Sequence, residues 1–217
     1  MSKARVKATN PFVTDRRAAF AERLVARLHP PGTDPESLPV AGFRPPGGLW
    51  RPRPAAVLIP IIDGVNELEV LLTVRSDRLP EHAGQVAFPG GGVDAGDDFP
   101  LGTALREAEE EIGLPSGQVT PLGLLDRFDT ITGYRIVPVV GLVTGQPGLK
   151  PCSREVQRIF SWPLSEVTNA GNYRQHTGRR DGVEFDFLSI GRAPALIWGA
   201  TAAILDRLRL VLHPIIN

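Results

Sequence analysis

Residues 90–114 read GGGVDAGDDFPLGTALREAEEEIGL, a run of glycines leading into a short acidic helix. Pro100 suits the first turn of a helix, and Asp97 or Asp98 can cap it. Gly113 is placed for a left-handed C-terminal cap, with Pro115 just beyond. Between these limits Leu101, Ala104, Leu105, Ala108 and Ile112 recur at helical spacing and form one apolar stripe. At about 100° per residue, Glu107, Glu110 and Glu111 fall within roughly a 100° arc beside that stripe, while Glu109 points elsewhere. Like charges at this spacing weaken a helix by roughly 0.2–0.5 kcal/mol per pair. A merely solvated acidic face would carry interleaved lysines, but only Arg106 is available, and it can reach Glu110. The other reading is that a divalent cation offsets the repulsion. Mg²⁺ or Mn²⁺ takes oxygen ligands, needs few carboxylates and keeps waters or substrate phosphates in its shell.

The rest of the chain bounds what such a helix can belong to. Its 217 residues suit one large domain, or one with extensions, and 42% hydrophobic residues suffice for a core. With 24 basic and 24 acidic residues, no overall field points to nucleic acid, and no polybasic run points to a membrane surface. Cys152 is the only cysteine, which excludes an intrachain disulfide and disfavours a cysteine-based zinc cluster. The N-terminus lacks the apolar run of a secretory signal, and no apolar stretch approaches the ~20 residues that span a bilayer, so a cytoplasmic location is expected.

Residues 12–28 read as an amphipathic helix, and 29–54 as a Pro/Gly-rich connector without regular structure. Residues 55–62 and 68–75 read as a strand pair, with further strands at 122–128, 134–143 and 183–190, and 195–212 as a closing amphipathic helix. Strands with helices between them and at both ends predict an α/β layered fold. The expected division is an N-terminal helix and connector (1–53), a central domain (54–192) and a C-terminal helix packed on it (193–217).

Gly92, Asp98, Arg106, Glu107, Ala108, Glu110, Glu111, Gly113 and Leu114 together resemble the Nudix box, G-x5-E-x7-R-E-U-x-E-E-x-G-U, where U is aliphatic. Asp98 stands in place of the family's Glu, and Ala108 is a small occupant of an aliphatic position. Upstream, LLTVRSDRLPEHAGQVAFPGG (71–91) is similar to the signature of the coenzyme A pyrophosphatase branch, with Pro80 standing where that pattern has Arg. IWGATAAIL (197–205) resembles the closing helix of the same branch, in which Trp198 packs as core.

The resemblance implies a Nudix α/β/α sandwich with a mixed sheet that hydrolyses the diphosphate bond of coenzyme A or a coenzyme A ester. The products would be 3′-phosphoadenosine 5′-phosphate and 4′-phosphopantetheine. It implies Mg²⁺ or Mn²⁺ held by Glu107 and Glu111, with Glu110 and the Gly91 backbone as further contacts and Asp98 supporting them from behind. Arg106 would orient the glutamates, and Arg75, Arg78, His82 and Phe88 would meet the substrate. Glu110, Glu107 and Glu155 are the candidate bases. A Nudix enzyme acting on ADP-ribose or NADH would share the box without the upstream signature. A non-catalytic Nudix-like nucleotide-binding module would be expected to lose a metal glutamate, and none is lost. The expected partner is the small-molecule substrate, with no nucleic acid and no membrane; a homodimer is compatible with the sequence.

Overall fold

The computed structural model describes residues 11–44, 51–180, 182–191 and 196–216. The helices are α1 (Pro11–Val25), α2 (Leu101–Ile112), α3 (Leu164–Thr168) and α4 (Ala200–Ile216). The strands are β1 (Val40–Gly42), β2 (Arg53–Asp63), β3 (Leu68–Arg75), β4 (Val86–Ala87), β5 (Gly90–Gly92), β6 (Val119–Leu124), β7 (Arg127–Asp129), β8 (Tyr134–Val143), β9 (Val156–Pro163), β10 (Tyr173–Arg180), β11 (Val183–Ile190) and β12 (Ile197–Trp198). The main sheet is mixed and runs β1-β7-β8-β2-β3-β4; β5 pairs with β2, β6 with β8 and β9 with β3. Strands β10, β11 and β12 form a second, antiparallel sheet.

Strand β2 is central because its residues are apolar on both faces. Ala56 and Leu58 point to one side, where they pack with Ala104, Ala108 and Ile112 of α2 and with Val137 and Val139 of β8. Ile59 and Ile61 point to the other, where they meet Leu24 of α1 and Leu205, Leu208 and Leu212 of α4. Period-two alternation on the strand thus fills two cores, giving the α/β/α sandwich with a mixed sheet. Fully burying a side chain such as Ile112 or Leu205 contributes roughly 1.5–3 kcal/mol. No helix among the described residues is long and apolar enough to cross a membrane.

Several expectations are corrected. The connector is partly regular: a 3₁₀ turn spans Pro35–Ser37, and β1 pairs in parallel with β7. Buried Arg127 holds this segment, donating to Glu36 Oε2 and the Glu36 carbonyl at 2.8 Å each and to the Leu38 carbonyl at 3.1 Å. Residues 45–50 of the connector lie outside the described residues. The single strand expected at 122–128 is two, β6 and β7. Strands β9 and β10 occupy stretches that carried no strand expectation, since neither alternates cleanly: β9 ends in Trp162-Pro163 and β10 is almost wholly polar. The closing helix begins at Ala200, and Trp198 lies on β12 with 43% exposure rather than in the core.

Candidate active site

Strand β5 brings the glycine turn onto the centre of the sheet, with Ala55, Ala56 and Val57 of β2 paired to Gly92, Gly91 and Gly90. Helix α2 then packs across it. The apolar stripe sets the rotation of α2, and that rotation aims Glu107 and Glu111 at the turn. Gly113 ends the helix at φ 64°, its N–H bonding the Glu109 carbonyl at 2.9 Å.

Glu111 is 4% exposed and accepts the Gly90 N–H at 3.2 Å. Burial pushes its carboxyl up to about 8, against the opposing pull of that N–H, and the charges of Glu107 and Glu155 act in the same direction as burial. Glu107 is shifted upward too, chiefly by burial. Its carboxylate lies against Gly91 so closely that an added Cβ there would sit 2.5 Å from Oε1. Only glycine leaves that cradle open.

Arg106 organises the cluster. Its Nε and Nη2 donate to Asp97 at 3.0 and 2.9 Å, and Nη1 to Glu107 at 3.0 Å and Glu110 at 3.2 Å. Nη2 also donates to the Gly92 carbonyl at 3.2 Å. The Arg106 guanidinium holds the Asp97 carboxyl well below the usual carboxylate range, helped by the N–H of Asp94 and the Thr103 hydroxyl. Asp97 therefore takes the supporting place expected of Asp98. Asp98 is exposed, and its contribution is a backbone carbonyl that accepts the Gly102 N–H at 2.5 Å. The side-chain cap expected from Asp97 or Asp98 is not formed, because Asp97 is turned to Arg106. Glu110 pairs with Arg106 and stays mostly exposed.

Glu155 joins this cluster from another part of the chain. The loop at 150–155 is stitched to α2 by Lys150 N–H to the Ile112 carbonyl (2.9 Å) and Cys152 N–H to the Glu111 carbonyl (2.8 Å). The Glu155 carbonyl accepts the Ser76 N–H at 2.8 Å. Its carboxylate is exposed and near enough to raise the proton affinity of both Glu107 and Glu111. Arg75, at the end of β3, lines a cleft together with Gly90, Gly91 and Gly92, is felt by Glu111 and has a buried Nε with no partner. His82 also lines the cleft, at φ 58°, with Nδ1 2.9 Å from Gln85 Oε1. Phe88 is buried in the core at the cleft floor. Arg78 is exposed and lies outside the cleft lining.

Among the described residues, no three His, Cys, Asp or Glu side chains form a ready-made cation site. The donor set that does converge is Glu107 and Glu111 beside the Gly91 cradle. Two carboxylates, Glu107 paired on one side with Arg106 and Glu111 buried against the Gly90 N–H, fit Mg²⁺ or Mn²⁺, which take one or two protein carboxylates and complete their shell with water and phosphate.

The family model of the NUDIX domain matches residues 51–181 of this chain. The chain is 40% identical over 158 residues to an uncharacterized Nudix hydrolase, NudL, of Citrobacter koseri, covering 73% of this chain and 82% of that protein. The same identity and coverage hold for an uncharacterized NudL of Escherichia coli K12. In structure it is similar to RenU, a Nudix hydrolase from M. smegmatis, with TM-score 0.53, 22% identity, and coverage of 77% of this chain and 89% of that one. The chain belongs to the Nudix hydrolase family. Hydrolases of that family generally use divalent metals such as Mg²⁺ or Mn²⁺.

Proposed function

We propose that this Nudix hydrolase cleaves the diphosphate bond of coenzyme A or its thioesters, in the cytoplasm. The observation that carries the reading is Arg75: a guanidinium beside Glu111, with a buried and unpartnered Nε, in the segment whose sequence is similar to the coenzyme A pyrophosphatase signature. An N–H donor left unpaired in the interior costs about 1–3 kcal/mol, a cost relieved by an acceptor such as a phosphate oxygen. Arginine meets phosphate with paired, charge-assisted bonds.

A divalent cation held by Glu107 and Glu111 would neutralise charge on the diphosphate oxygens. Arg106 keeps Glu107 in place through its grip on Asp97, and Arg75 binds and orients the diphosphate. Glu155 is exposed at the mouth of the carboxylate cluster, carries no ion pair with Arg106, and acts as base on the attacking water. That water adds to phosphorus as the bridging oxygen leaves, giving 3′-phosphoadenosine 5′-phosphate and 4′-phosphopantetheine or its acyl form. Purified enzyme with Mg²⁺ or Mn²⁺ should cleave coenzyme A with higher kcat/KM than dephospho-coenzyme A, ADP-ribose or NADH. Equal or faster cleavage of ADP-ribose refutes the substrate while leaving diphosphate hydrolysis standing.

A further inference from the structure

Strand β9 pairs with β3 in regular antiparallel register from Glu69 opposite Pro163 to Val74 opposite Arg158, and then slips. Arg75 lies opposite Val156, so Gln157 is the extra residue of a β-bulge. Continued without the slip, the ladder would set Gln157 opposite Arg75 and Glu155 opposite Asp77. The slip draws Glu155 one place closer, to Ser76, whose N–H donates to the Glu155 carbonyl at 2.8 Å. It also exchanges the residue inserted beneath α2. Val156, 1% exposed, joins the core that holds Ala108 and Ile112, and Gln157 is turned out to water. Alternation along β3 puts Val74 in the opposite core and Arg75 on the α2 side, so the bulge lies where Arg75 and Glu155 come together.

Asp77 holds the extra residue. Gln157 Nε2 donates to Asp77 Oδ2 at 2.7 Å, a charge-assisted bond. Asp77 belongs to a loop that leaves Arg75 and returns to it. The Gly84 N–H donates to the Arg75 carbonyl at 3.2 Å, and the Arg75 N–H to the Gln85 carbonyl at 2.9 Å. This loop folds over Asp77 so closely that a Cβ added at Gly84, where φ is 70°, would lie 3.3 Å from Asp77 Oδ1. The Asp77–Gln157 bond therefore ties a loop closed on Arg75 to a residue two places from Glu155.

We propose that Asp77 and Gln157 are positioning residues, whose hydrogen bond locks the β9 bulge and thereby holds the segment carrying Glu155 in register with Arg75. The inference rests on the roles proposed above, with Arg75 on the diphosphate and Glu155 on the attacking water. The bond is not needed to keep the sheet, because six regular pairs between β3 and β9 precede the bulge. Losing it frees the Glu155 segment while Arg75 stays fixed by Gln85 and Gly84. The expected effect is on turnover and not on binding, since small misplacement of a reacting group is costly.

The test is steady-state cleavage of coenzyme A with Mg²⁺ by folded variants. Asp77→Ala and Gln157→Ala should each lower kcat about tenfold with KM within about twofold of wild type, and thermal melts within a few degrees of it. The double variant should fall no further than either single one. Asp77→Asn keeps an oxygen that accepts the Gln157 amide and should retain wild-type kcat. Adding Asp77→Ala to Glu155→Gln should cause no further loss. Both alanine variants within about twofold of wild-type kcat overturn the proposal, as does Asp77→Asn falling as far as Asp77→Ala. If coenzyme A is not cleaved, or Glu155→Gln keeps wild-type turnover, the roles on which the proposal rests fail, and hydrogen exchange decides on the lock itself. Asp77→Ala should then speed exchange of the Ser76 amide at least tenfold, with the other β3 amides unchanged. An unchanged Ser76 rate overturns the lock.

Discussion

Removing the charge of Glu111 should stabilise the metal-free protein, and the gain should depend on pH. Glu111 is buried beside Glu107, and its carboxyl is pushed up to about 8 from an ordinary 4.5. Between those two values the folded protein retains a proton that the unfolded chain has released. Stability therefore falls as pH rises from about 4.5 to about 8, and the full penalty is present above that. At roughly 1.4 kcal/mol per tenfold change in proton affinity, the penalty reaches up to about 5 kcal/mol. Glu111→Gln keeps the shape and an oxygen to accept the Gly90 N–H, but never ionises. In a chain of this length 1 kcal/mol corresponds to about 2–4 °C in Tm, so the variant should gain on the order of 10 °C over wild type at pH 8.5 and almost nothing at pH 4.5. Calorimetric melts of chelator-treated wild type and Glu111→Gln across that range measure it. Added Mg²⁺ should raise the Tm of wild type far more than that of the variant, by mass action. A Glu111→Gln curve parallel to wild type at all pH values would refute the claim that an uncompensated buried charge sits at this position.

Four further outcomes follow from the site. Asp97→Asn should lower kcat about 10–100-fold by loosening Arg106, whereas Asp98→Ala should stay within a few-fold of wild type in the same steady-state assay. Glu155→Gln should reduce kcat by about 10²–10⁴-fold with KM little changed, read in the same steady-state assay. Arg75→Ala should cost about 1.5–3 kcal/mol of transition-state binding, read as kcat/KM for coenzyme A, with the melting curve intact. Activity should vanish in EDTA and return with Mg²⁺ or Mn²⁺; full turnover after exhaustive chelation would remove the metal from the mechanism.

The acidic helix was legible because local rules and tertiary packing agree there. The apolar stripe, the Gly113 cap and the converging glutamates all concern one helix, and α2 runs over Leu101–Ile112 as its sequence suggests. Strands β2, β3 and β8 were legible for the same reason, being long and apolar. What the chain order hides is contact between distant segments. Glu155 reaches the cluster only because Cys152 and Ser76 tie its loop to α2 and β3, and no local pattern announces such bonds. Asp97 was nominated only as a cap, since spacing alone cannot tell which of two adjacent aspartates turns toward Arg106. The β10–β11 hairpin had a partial signal: Val183, Phe185 and Phe187 alternate with Glu184 and Asp186, but the polar partner strand gives no reason to place them over the cleft.

The stitching of the 150–155 loop to the end of α2 has a kinetic consequence. The amides of Lys150 and Cys152 close onto carbonyls of Ile112 and Glu111, which a free helix end would show to water. Their hydrogen exchange is then governed by the opening of α2 rather than by the loop's own fluctuation. The two amides should exchange in step with the last turn of the helix, and a ligand that holds Glu107 and Glu111 should slow all of them together. Glu155 would thus be held in place by the backbone of the segment whose charge it faces.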